Sequence, residues 1–173
     1  MKTAKKEDAR DGAERGSDTQ ENAVNAVLSD DYNAVVANAQ LVDVLLIGAT
    51  FKMVPKYYDA SAKEFQFNLV KATVVSNEEA GNAHGVFQWA VKATSGDETV
   101  LELSANFMAV YTSLEGQNAK AVDAFVRRLG PFTTYPYFRS YVSNLSWMSK
   151  ANLPILPVLT ESDLEPTAAD SES

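Results

Sequence analysis

The groups able to do acid–base, nucleophilic or metal chemistry are few and scattered in this sequence. One histidine, His84, and no cysteine occur in 173 residues. A lone imidazole beside the Gly81–Gly85 stretch could serve as a base or a ligand. A solvated side chain is the stronger reading, because no second His or Cys completes a metal set or a nucleophile pair. The acidic pairs Asp30-Asp31 and Glu78-Glu79 fall in polar stretches and read as solvated charge. No glycine pattern forms a phosphate cradle after a strand. The chain is therefore read as a non-enzyme with no cofactor and no metal.

The chemistry it does offer is apolar binding. Thr134–Val158, TYPYFRSYVSNLSWMSKANLPILPV, joins an aromatic helix to an apolar strip marked by Pro154 and Pro157. Proline lacks the N–H and fixes φ, so the strip can neither extend the helix nor enter a sheet interior. Trp147 and Met148 near the helix end, with Leu153, Ile155 and Leu156 after it, are candidates for an exposed apolar wall suited to peptides. About half of Phe132, Tyr135, Tyr137, Phe138, Tyr141 and Trp147 should be core. Arg139 should lie on a polar face and pair with an acid. Arg127 and Arg128 should meet the end of a helix dipole.

The elements that position this strip follow from periodicity. Leu41–Val54 reads as a strand apolar on both faces, with Leu41, Asp43, Leu45, Ile47, Phe51 and Met53 on one side. A second subunit could bury the other. Pro55 ends it, and 56–63 is a polar crossover. Glu64–Val75 is the next strand; its parity shifts after Leu69, which predicts a bulge. Val86–Thr94 and Thr99–Tyr111 alternate across a Ser95-Gly96-Asp97 turn. The period then becomes helical. Val122, Phe125, Val126 and Leu129 share a face, Gly130-Pro131 stops the first helix, and Pro136 starts a second, capped by Thr134 or Tyr135. Before the strands, 23–39 could hold one or two helical turns with Asp30 or Asp31 as N-cap. Strands first and helices last predict an α+β fold with both helices on one side of an antiparallel sheet.

Composition bounds the partners. Hydrophobic residues make up 46% and the net charge is −8, which argues against nucleic acid and against an anionic membrane surface. Basic or unfolded polypeptides fit better. No run is long enough to insert in a membrane, and the opening MKTAKKEDARDGAERGSD lacks the apolar core of a signal peptide. The absence of cysteine fits the cytoplasm. Residues 1–21 read as a disordered charged tail, 22–159 as the folded domain and 160–173 as an acidic disordered tail.

Over about 38–159 the chain resembles the SecB-type chaperones. The match rests on Leu129-Gly130, on Tyr135-Pro136-Tyr137-Phe138-Arg139 opening the second helix, and on Leu153-Pro154, Leu156 and Pro157-Val158 after it. Asp97-Glu98-Thr99 and the following Leu-Glu-Leu agree as well. The resemblance implies an ATP-independent holdase that binds non-native, extended polypeptides in apolar grooves. Those grooves would involve Tyr57 and Tyr58 of the crossover and Leu145, Trp147, Met148, Leu153, Ile155 and Leu156. It implies self-association as a dimer of dimers through Leu45 and Ile47 of the first strand and Val122, Phe125, Val126 and Leu129 of the first helix. SecB proteins of the export pathway hand clients to the SecA motor; Glu102 keeps one acid of that docking surface. Gly48, Ala49 and Lys52 stand where acids are usual near the first strand's end, and Ser140 where an acid follows the arginine. Relatives outside export guard antitoxins, which makes a dedicated adaptor the alternative. A small-ligand-binding α+β domain is the remaining reading.

Overall fold

A computed structural model describes residues 29–164. Residues 29–38 form a helix, α1, and β1 follows at Gln40–Met53. A single helical turn, α2 (Lys56–Asp59), leads to β2 (Glu64–Asn77), β3 (Asn82–Ser95), β4 (Glu98–Thr112) and the long helix α3 (Ala119–Ser149). The four strands form one antiparallel sheet in the order β1-β4-β3-β2. The α+β class and the helical cover on one side are as the periodicity predicts. The expected tail 1–21, and 22–28 of the expected domain, lie outside the described residues. Asp30 and Asp31 lie within α1 rather than capping it, and Val35 inserts in the core.

Strand parity explains which side chains α3 covers. On β3, Phe87, Trp89, Val91 and Ala93 are buried; on β4, Leu101, Leu103, Ala105, Phe107, Ala109 and Tyr111 are buried beside them. The bulge predicted after Leu69 is present. Phe65, Phe67 and Leu69 oppose Ala93, Val91 and Trp89; Val70 is the extra residue, and Ala72 and Val74 then oppose Phe87 and Gly85. The β3–β4 hairpin closes with Ser95 opposite Glu98, Gly96 holding φ 58.

β1 departs from its predicted parity. Its register with β4 slips twice, at Val42 and at Ile47. Each bulge moves the following side chains to the other face. Leu41, Val44, Leu46, Ala49, Phe51 and Met53 therefore oppose the buried row of β4, from Tyr111 to Leu101. Asp43 and Leu45, assigned by simple alternation to the Phe51 side, lie on the opposite face. The apolar side chains of β1 are poorly covered: Val42, Leu45, Leu46 and Ile47 are all exposed. β1 is also an edge of the sheet, with a row of backbone groups not used by the sheet's other strands.

The helical region corrects a second expectation. The two predicted helices are one continuous run, with Gly130, Pro131 and Pro136 inside it. Gly130 marks a close approach of helix and sheet, where a Cβ would overlap the Phe87 ring. Gly85 is constrained from the other side: a Cβ there would lie 2.6 Å from Phe87 Cε2 and 2.7 Å from Val126 Cγ1. Thr134, a predicted cap, is a fully buried interior residue. Its hydroxyl donates to the Gly130 carbonyl at 2.9 Å and accepts from Trp89 Nε1 at 3.1 Å. Thr133 repeats the relay one residue earlier, donating to the Leu129 carbonyl at 3.0 Å and accepting from Tyr111 Oη at 3.0 Å. The sheet thus grips the helix between its two prolines.

Gly130→Ala tests this close approach. At an ordinary helix position the change would stabilise by roughly 1 kcal/mol. Here overpacking against Phe87 should reverse the sign and destabilise by about 1–3 kcal/mol in chemical denaturation. Phe87→Leu should cost less in the G130A background than in the wild type, because the two sites couple.

Candidate peptide-binding groove

The C-terminal half of α3 and the strip after it enclose a hollow. Lys150 ends the helix in the left-handed conformation at φ 54, and Asn152 takes φ 49 two residues later. These turns reverse the chain so that 153–159 runs back beside the helix. The Ser146 hydroxyl accepts from the Leu153 N–H at 2.9 Å and fixes the start of the return.

Three tyrosine hydroxyls hold the exit by donating to its carbonyls. Tyr58 bonds Ser149 O at 2.7 Å, Tyr57 bonds Ala151 O at 2.6 Å and Tyr135 bonds Pro157 O at 2.7 Å. Burial, above all other causes, raises the pKa of Tyr57 and of Tyr135, so both remain donors through the neutral range. Beyond the strip, Arg128 pairs with Glu161 at 3.1 Å. Thr160 and Asp163 form a capping box around a 3-10 turn, Glu161–Asp163. The segment expected to be a mobile tail from Thr160 therefore begins with an anchored turn; 165–173 lie outside the described residues. Arg127 and Arg128 sit in the middle of a helix, not at its end. Arg127 pairs with Asp123 at 2.7 Å, one turn back.

The groove between helix and strip has a volume of 1260 Å³. Tyr135, Pro136, Val142 and Trp147 line its helix side; Leu153, Pro154, Ile155, Leu156 and Val158 line the other. Leu156 is 5% exposed and forms part of the floor, whereas Trp147 at 83%, Ile155 at 85% and Val158 at 72% stand open at the rim. Single exposed apolar residues are ordinary, but a cluster of this kind around a concave surface marks an interaction site.

The predicted groove residues divide. Trp147, Leu153, Ile155 and Leu156 meet in this groove. Met148 is 82% exposed on the neighbouring helix surface, and Leu145 is half-buried against the core. Tyr57 and Tyr58 line a separate hollow of 290 Å³ with Lys63, Phe65, Lys150, Ala151 and Asn152. Tyr57 is only 2% exposed and clamps the exit, so it is structural, and the crossover does not complete the groove wall. Val158 is a groove residue that the sequence does not single out, although its position in the Pro-marked strip points to it. In the aromatic cluster, Tyr135 and Phe138 pack on Trp89, the Phe138 ring stacking at 5.8 Å and 18°. Tyr137 is exposed.

The predicted subunit contacts divide too. Val122, Phe125 and Val126 are buried in the chain's own core, Phe125 edge-on to Tyr111 at 5.2 Å. They are already covered by this sheet, so they offer no free surface to another subunit. Leu129 is half-buried. Leu45 and Ile47 are exposed on β1. Glu102 lies on the open sheet face, opposite Lys52 on one side and Lys92 on the other. His84 lies in β3 on the same face, opposite Val75 and Val110. Among the described residues no cluster of three His, Cys, Asp or Glu could hold a metal ion, and no helix is long and apolar enough to cross a membrane.

Tyr57→Phe should leave the Ala151 carbonyl without its buried donor and cost about 1–3 kcal/mol at fixed protein concentration. Tyr58→Phe, at an exposed site, should stay within about 0.5 kcal/mol. Paired denaturation curves of the two variants check the difference.

No protein-family model matches the chain, and no curated protein matches it. Among solved structures it is similar to the SecB-like chaperone Rv1957 of Mycobacterium tuberculosis, determined in complex with a ChAD peptide from the HigA1 antitoxin. That match has a TM-score of 0.60 at 20% identity and covers 76% of this chain and 97% of the other. A protein of unknown function from Streptococcus agalactiae matches at a TM-score of 0.30 and 10% identity, covering 70% and 97%, which is too distant to carry any argument. The four-stranded antiparallel sheet with its C-terminal helix is a SecB-like α+β fold.

Proposed function

We propose that this protein is an ATP-independent chaperone or adaptor that binds extended, non-native polypeptide in the groove between α3 and 153–159. The observation that carries the reading is the ring of exposed apolar side chains, Trp147, Ile155 and Val158, around a hollow whose walls are fixed from below by tyrosine hydroxyls. Burial of client apolar area supplies the driving force, about 25 cal/mol per Å² before the entropy of ordering both partners is subtracted. Side chains that stay open while the backbone beneath them is held avoid part of that ordering cost. The reading is of a binding protein, not an enzyme, acting in the cytoplasm.

The solved neighbour binds an antitoxin peptide, which favours a second form of the same reading: a dedicated adaptor that guards one partner. Export through SecA has less support. Glu102 is flanked in register by Lys52 and Lys92, which offsets the acidic surface that such docking uses. Self-association through β1 is the assembly we favour. An edge strand with exposed Val42, Leu45 and Ile47 and free backbone groups is suited to pair with a second copy, with a dimer of dimers as the larger form.

Two experiments check this. The purified protein should suppress aggregation of a chemically denatured model protein, and Trp147→Ser with Ile155→Ser should remove most of that effect while leaving the fold intact by circular dichroism. No suppression by excess wild-type protein would sink the chaperone form. Native mass should be a multiple of 18.8 kDa, and Ile47→Lys should shift it to the monomer. A monomeric wild type would leave β1 uncovered and overturn the assembly.

A further inference from the structure

The groove is not charge-neutral, and its sign opposes that of the protein. Overall the chain carries −8, yet the groove lining includes Arg139 and Lys150 and no Asp or Glu. Arg139 is half-buried in mid-helix, one turn from Tyr135, whose phenol its charge makes more acidic against the effect of burial. Among the described residues the ion pairs are Lys56–Glu98, Arg127–Asp123 and Arg128–Glu161, none of which engages Arg139 or Lys150. Asp163, whose charge is felt at Tyr135, accepts from the Thr160 N–H and hydroxyl at 2.7 Å each. The acid partner expected for Arg139 from its sequence position is thus not supplied by the described fold.

The two cations fall on one stripe. Positions 139, 143, 146 and 150 follow each other at helical spacing, so Arg139, Ser143, Ser146 and Lys150 share the wall that faces the apolar strip. From Arg139 to Lys150 the helix advances about 16 Å. An extended peptide covers that length in about five residues. A bound segment would have one side against Leu153, Ile155 and Val158 and the other against the cationic stripe.

We infer that the groove selects extended apolar segments carrying side-chain carboxylates, Asp or Glu, set against Arg139 and Lys150. This rests on the groove being the polypeptide site and names the kind of polypeptide it takes. It also reverses the preference that net charge suggests. Long-range repulsion from the acidic protein is screened within about 10 Å at ordinary salt, whereas a charge beside Arg139 in a partly desolvated groove is not.

The test uses fluorescein-labelled nonapeptides of Leu, Val and Ser that differ only at two positions five residues apart, filled with Glu, Gln or Lys. Fluorescence anisotropy with the full chain at moderate salt should rank Glu above Gln above Lys, each step about two- to fivefold in Kd per charge. Arg139→Gln should bring the Glu-to-Gln ratio down by a similar factor. Arg139→Glu should raise the relative affinity of the Lys peptide. Equal binding of the Glu and Gln peptides overturns the inference while leaving the groove as a peptide site. A Glu preference that survives unchanged in Arg139→Gln overturns it as well, since the charge read would lie elsewhere. Binding of none of the three peptides would remove the groove reading on which it stands.

Discussion

The grip of the sheet on the middle of α3 is the constraint on which the rest depends. Helix 119–149 carries two prolines five residues apart, and each removes a backbone donor from its ladder. Left in water such a segment would break. Against this sheet it continues, because Gly130 lets the helix come down onto Phe87 and the Thr133 and Thr134 hydroxyls link helix carbonyls to Tyr111 and Trp89. Continuity of the helix projects its last turns past the core. That projection places Trp147 and Lys150 where the returning chain can form a groove with them.

The groove is consequently a by-product of how the helix ends. Two left-handed residues, Lys150 and Asn152, reverse the chain, and Pro154 and Pro157 keep it from pairing with the sheet. Tyrosines from α2 and from α3 itself fix the reversed backbone by its carbonyls, leaving its side chains unassigned. Leu156 and Leu159 turn in to form a floor, while Ile155 and Val158 turn out. Anchoring the main chain and freeing the side chains is what a surface needs if it is to bury many different apolar segments without first being ordered itself.

Much of this is legible in the sequence, and the failures have physical causes. Alternation places the buried rows of β3 and β4, and even the β2 bulge at Val70, because those strands are central or change parity openly. It fails on β1, where two bulges fall within one apolar run and nothing in the residue types marks the slip. Gly130-Pro131 reads locally as a stop; only the Phe87 ring on another element shows that the glycine serves close packing. The resemblance assigns Val122, Phe125 and Val126 to a subunit contact, but these side chains are buried within the chain's own core, and a stripe alone does not say which surface covers it. The strip after the helix is visible because its prolines bar it from a helix or a sheet interior while its apolar residues still need cover. The charge of its facing wall is not, since the sequence pairs Arg139 with an acid that the described fold does not bring to it.

If non-native polypeptide lies in the groove between α3 and 153–159, a reactive side chain on the groove rim must reach it. Site-specific photocrosslinking tests it most directly. A benzophenone side chain is placed at Ile155 or Val158 on the groove rim, or at Thr73 on the open sheet face, and the protein is irradiated with a denatured client. Client adducts are expected from both rim positions, with little from the sheet face. Adducts mainly from the sheet face, with the rim silent, would contradict it.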